Sequence, residues 1–119
     1  MDIAGVHHIS LNVDDADAAR DFYVDILGFR VDPRPDLGFP GYWLGIADGR
    51  QVHLIGEADV PGNLGQHFAL HVTDLDAVVA ELRSKGVEVS DPKSQPTGAR
   101  QSFACDPSGN MVEFHQPVI

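Results

Sequence analysis

The sequence says one thing twice. His8-Ile-Ser-Leu-Asn-Val-Asp-Asp-Ala-Asp-Ala near the start returns as His67-Phe-Ala-Leu-His-Val-Thr-Asp-Leu-Asp-Ala in the middle. At an offset of 59, Leu11 matches Leu70, Val13 matches Val72, Asp15 matches Asp74, Asp17 matches Asp76, and Asp32-Pro33 matches Asp91-Pro92. One inserted residue later, Gly49 matches Gly109, Val52 matches Val112, and His53 falls opposite Glu113. Two copies are too few for a solenoid, so the repeat predicts two paired modules in one domain spanning residues 1–119. It also selects four residues that can ligate a metal. His8 and His67 open the two copies; His53 and Glu113 close them.

The pattern inside each copy predicts βαβββ. Val6 to Val13 alternates, with His8, Ser10 and Asn12 on one face and His7, Ile9, Leu11 and Val13 on the other. Asp14 or Asp15 caps a helix from Ala16 to Leu27, whose stripe is Ala19, Phe22, Tyr23 and Ile26, and Gly28 stops it. Strands follow at Phe29 to Asp32, Tyr42 to Ile46 and Gln51 to Ile55, with a Pro- and Gly-rich loop before the second and an Asp48-Gly49 turn before the third. A linker around Pro61-Gly62 leads to the second copy. There the expected order is strand His67 to Thr73, a helix capped by Asp74 and ended by Gly86, then strand Val87 to Ser90. A loop from Pro92 to Ala99 precedes strands Gln101 to Cys105 and Met111 to His115. The fold expected is α+β: module one over about 5–57, module two over about 65–117, their curved sheets forming a cavity.

Charge narrows the partners. A formal charge of −10 over 119 residues repels phosphate backbones, so nucleic acid is not an expected partner. No apolar run reaches the length of a membrane span, and the first residues lack the basic and apolar regions of a signal peptide. Cys105 is the single cysteine, so no internal disulfide forms and the expected compartment is the cytoplasm. Its place beside the turn reads as buried.

The chemistry follows from faces. His8, His53, His67 and Glu113 all lie opposite the apolar stripes, at positions paired by the repeat. Imidazole and carboxylate suit Zn²⁺, Ni²⁺, Co²⁺, Mn²⁺ and Fe²⁺. Three neutral imidazoles and one carboxylate leave a divalent ion with net positive charge, hence Lewis acidity toward an oxygen. Asn12 and His71 occupy equivalent positions on the same side; orienting a substrate and merely meeting solvent are both open readings. His115 shares the face of Glu113 and Gln51 that of His53, while His7 points away. Phe39, Tyr42 and Trp43 cluster by the Pro-rich loop, as core or as pocket wall.

Over essentially its whole length the chain resembles the vicinal oxygen chelate superfamily, the glyoxalase, bleomycin-resistance and extradiol-dioxygenase fold. The residues that carry the likeness are Val6 to Val13, Asp21-Phe22-Tyr23 through Leu27-Gly28-Phe29, Gln66 to Leu70, and Asp106-Pro107-Ser108-Gly109-Asn110 leading to Glu113. The resemblance implies one divalent metal per site, held by His8, His67 and Glu113. Glyoxalase I-like members add Glu or Gln where this chain has His53, either a fourth ligand or an acid–base group.

The implied function is a metal-dependent glyoxalase-like enzyme. It would act on a small oxygenated metabolite through an oxyanion or enediolate, with Glu113 or His53 as base. In most small members two chains pair and share their sites, so a homodimer is expected. One alternative is an Fe²⁺ extradiol-type dioxygenase, in which Phe103 stands where those enzymes place a Tyr. Another is a protein that sequesters an antibiotic or other small molecule. Lys93, Ser94 and Arg100 lie near the loop that holds phosphonate in fosfomycin-resistance transferases, but the basic residue those enzymes carry several positions past the metal Glu has no counterpart after Glu113.

Overall fold

Both copies of the repeat fold into a four-stranded mixed sheet with a helix against one face. The computed structural model describes residues 1–60 and 65–118. The Pro61-Gly62 stretch read as linker lies outside them. The chain divides into two compact units, Met1–Val60 and Pro61–Ile119.

The first unit contains β1 (His8–Asn12), α1 (Ala16–Asp21), β2 (Arg30–Asp32), β3 (Gly41–Gly45) and β4 (Gln51–Ile55). Its sheet order is β1-β4-β3-β2, with β1 parallel to β4 and the other pairs antiparallel. Asp15 caps α1 by accepting from the Ala18 amide at 3.0 Å. Beyond Asp21 the helix widens into a π-helical turn over Phe22–Ile26 instead of continuing as α-helix to Leu27. The wider turn seats two adjacent aromatics in the core, with Phe22 and Tyr23 both buried. Gly28, at φ 81°, then ends it in the left-handed region. Val13, Ala19, Leu44, Val52 and Leu54 complete this core.

The second unit contains β5 (His67–His71), α2 (Leu75–Ser84), β6 (Lys93–Ser94), β7 (Arg100–Cys105) and β8 (Met111–Gln116). Its order, β5-β8-β7-β6, reproduces the first sheet strand for strand. Asp74 caps α2 through the Ala77 amide. Leu75, Val79 and Leu82 of α2 are buried, as are Ala104 of β7 and Val112 and Phe114 of β8, the strands against which α2 packs.

Two expectations need correction. Val87 to Ser90 forms no strand; the edge strand is Lys93–Ser94. The segment keeps one backbone bond to β7, from the Ser90 amide to the Phe103 carbonyl at 3.0 Å, while side chains take other groups that a strand there would use. Arg83 donates to the Val89 carbonyl at 3.0 Å, and the Phe103 amide donates to Ser90 Oγ at 2.9 Å. Cys105 is exposed, because alternation along β7 puts Ala104 into the core and turns Cys105 away from it.

Candidate functional site

Strand register decides which side chains meet. In the first sheet His53 lies opposite Ser10 on β1 and Trp43 on β3, and Trp43 lies opposite Asp32 on β2. Paired residues point to the same side, so the face away from α1 carries His8, His53, Gln51, Trp43, Asp32 and Arg30. The His53 ring is sandwiched. Trp43 stacks on one side at 4.5 Å between centroids and His8 on the other at 3.9 Å. His7 meets His8 edge-on, with their Nδ1 atoms 2.9 Å apart, so it joins this cluster at the strand mouth instead of pointing away.

A polar chain runs along the same face. His53 Nε2 lies 2.9 Å from Gln51 Oε1, Gln51 Nε2 donates to Asp32 Oδ2 at 2.8 Å, and Arg30 Nε donates to Asp32 Oδ1 at 2.8 Å. Burial first, then the charges of His8, His7 and Arg34, holds the His53 imidazole below the ordinary histidine range. The hydrogen bond from Gln51, supported by Arg30, holds the Asp32 carboxyl below the usual carboxylate range. Asn12 donates to the Asp59 carbonyl at 3.2 Å.

In the second sheet Glu113 lies opposite Ala69 and Phe103, as His53 lies opposite Ser10 and Trp43 in the first. Glu113 is buried, its side chain 10% exposed, and the carboxylate is held between two imidazoles. His67 Nε2 is 3.1 Å from Oε1, and His115 Nδ1 is 2.9 Å from Oε2. Phe103 sits edge-on to His67 at 5.4 Å. His71 is exposed and lies opposite His115 in register.

Arg100 belongs to the other face of β7, with Ser102 and Ala104. Its guanidinium grips Asp76 in the first turn of α2 with two bonds of 3.0 and 2.9 Å. Tyr42 likewise leaves the Trp43 face. Its hydroxyl donates to Asp17 and accepts from Arg20 on α1.

The family model for the Glyoxalase/Bleomycin resistance protein/Dioxygenase superfamily matches residues 5–114. The chain belongs to this superfamily. A superfamily member from Sphaerobacter thermophilus is 27% identical, with a TM-score of 0.82 over 96% of this chain and 98% of that one. TnmS3, an antibiotic binding protein from Streptomyces sp. CB03234, is 31% identical, with a TM-score of 0.86 over 99% of both chains. Lactoylglutathione lyase from Haemophilus influenzae is 28% identical, matching 90% of this chain and 88% of its own.

Members of the superfamily generally use a divalent metal, and the second module contains a pair of donors that fits one. His67 Nδ1 faces the Gly65 carbonyl oxygen at 2.9 Å, so Nδ1 carries the hydrogen and Nε2 is the lone-pair nitrogen of the neutral ring. That nitrogen faces a carboxylate oxygen, and both atoms are acceptors. A proton or a cation must lie between them. Two donors each about 2.0–2.2 Å from a divalent ion stand about 3.0 Å apart at octahedral angles and about 3.4 Å apart at tetrahedral ones, and the observed separation is 3.1 Å. His115 holds the other carboxylate oxygen, as outer partners of metal ligands do. Among the described residues no three His, Cys, Asp or Glu side chains form a complete cage; the structure brings together His67 with Glu113, and His8 with His53.

Asp32 joins the polar chain of the first sheet, though the repeat does not single it out as a site residue. Its signal was present: it repeats as Asp91 and falls two residues from Arg30 on an alternating strand. Its link to His53 runs through Gln51 and passes across β3, which no local pattern records.

Proposed function

We propose that this chain is a divalent-metal-dependent enzyme of the glyoxalase type. It acts on a small oxygenated metabolite through an oxyanion or enediolate. The observation that carries the reading is the contact between His67 Nε2 and Glu113 Oε1, an imidazole nitrogen and a carboxylate oxygen 3.1 Å apart. His67 and Glu113 would hold the ion, Zn²⁺, Ni²⁺, Co²⁺, Mn²⁺ or Fe²⁺, with His8 and His53 of a first module as further donor and neighbour. The ion, when bound, supplies Lewis acidity toward a substrate oxygen. His53 is the base that takes the substrate's carbon-bound proton, since its imidazole stays neutral at physiological pH. Trp43 and Phe103 offer apolar walls, and Asn12 and His71 polar groups for orientation. Arg100 is committed to Asp76 and anchors α2.

The test is solvent-proton exchange. Metal-reconstituted protein in heavy water should place deuterium on the carbon beside the carbonyl of a 2-hydroxycarbonyl compound or a 2-oxoaldehyde thiohemiacetal. Oxygen uptake with a catechol, and no exchange, would replace this reading with the Fe²⁺ extradiol one.

A second reading has its own observation. The parallel stack of Trp43, His53 and His8 suits a planar aromatic guest, and the antibiotic-binding TnmS3 is 31% identical. Tight binding of a polycyclic aromatic antibiotic by metal-free protein, without turnover, would favour it.

A further inference from the structure

We propose that Asp32 and Gln51 lock His53 in a single tautomer, with hydrogen on Nε2 and the lone pair on Nδ1. The argument is one of donors and acceptors. An ionised carboxylate only accepts, so the Gln51 group 2.8 Å from Asp32 Oδ2 is its amide nitrogen. This removes the usual ambiguity of an amide side chain. The amide oxygen then faces His53 Nε2 at 2.9 Å, and an oxygen there requires the ring nitrogen to donate. Asp32 thus dictates a proton position on a residue it does not touch.

Three features hold the chain of bonds in place. Trp43 and His8 lie nearly parallel to the His53 ring, at 7° and 15°, and fix its plane. Arg30 occupies the second oxygen of Asp32. Gly45 leaves the room that Arg30 needs, since a Cβ at that position would lie 2.4 Å from the guanidinium. Gly45 is also the residue opposite both Arg30 and Gln51, so its missing side chain clears the strand that the polar chain crosses.

The consequence deepens the reading above, and its catalytic part rests on that reading. His53 presents Nδ1, not Nε2, to a substrate proton or to an ion, and Asp32 and Gln51 are positioning residues. The lock itself exists without metal, so the test uses metal-free protein and its outcome is independent of the metal assignment. Imidazole ¹⁵N shifts, read above the ordinary histidine titration range, report the tautomer directly. The wild type should show Nε2–H dominant, by about tenfold for a hydrogen bond of ordinary net strength. Gln51→Leu and Asp32→Leu should both give a mixture of tautomers. Asp32→Asn, which is isosteric and can donate as well as accept, should loosen the lock if the leucine variant fails to fold. A dominant Nδ1–H form in the wild type would overturn the proposal. So would an undiminished Nε2–H form in both Asp32 variants, which is the result a merely structural Asp32 would give.

Discussion

His53 carries a proton-linked cost that its neighbours impose. Its folded pKa is depressed, chiefly by burial, so the native state binds a proton less readily than the unfolded chain. The sign follows: stability is unaffected well above the ordinary histidine range and falls as pH drops through that range toward the folded pKa. Denaturant midpoints measured against pH should therefore show wild type losing stability relative to His53→Gln as the solution is acidified. A difference that stays constant with pH would contradict this. Ser102 makes a simpler case. Its Oγ is buried with no hydrogen-bond partner among the described residues. Ser102→Ala removes an unpaired polar group from the core, and thermal unfolding should show a gain of about 1 kcal/mol, not a loss.

At the scale of elements, the strands and helices follow from local chemistry that can be read directly. Both cap carboxylates, Asp15 and Asp74, bond the amide three residues on, and Gly28 and Gly86 end their elements with positive φ. Asp74→Ala should cost about 1 kcal/mol in unfolding free energy, as loss of a helix cap does; no change in the denaturant midpoint would mean that the cap bond contributes nothing. The edge strand of the second sheet was not legible. Val87-Glu88-Val89 has the composition of a strand, but the Arg83 side chain takes the Val89 carbonyl and the Ser90 side chain takes the Phe103 amide, leaving one backbone bond, from the Ser90 amide to the Phe103 carbonyl. Such side-chain competition depends on where α2 places Arg83. The π-helical turn at Phe22–Ile26 was hidden for a related reason: the core's demand for two neighbouring aromatics overrides the 3.6-residue period.

At the scale of the molecule, the repeat proved more informative than any local pattern. It anticipated two sheets of identical strand order, and it matched His53 with Glu113, which occupy equivalent positions in register. It could not show Asp32 reaching toward His53, or Arg100 turning to Asp76, because those contacts depend on side-chain reach across strands. The superfamily reading further predicts a homodimer whose sites are shared between chains. Sedimentation at micromolar concentration should give twice the 12.9 kDa chain mass, and a monomer would remove shared sites while leaving the fold intact.

The central claim is that His8, His67 and Glu113 bind one divalent ion, with His53 as fourth ligand or close neighbour. Calorimetric titration of metal-stripped, untagged protein with Zn²⁺ measures it, in the wild type and in His8→Ala, His53→Ala, His67→Ala and Glu113→Ala. The account predicts one ion per chain. It predicts weakened binding in all four variants, most in Glu113→Ala, which loses the negative charge that offsets the ion, and least in His53→Ala. Wild-type affinity retained in both His8→Ala and His67→Ala would contradict it.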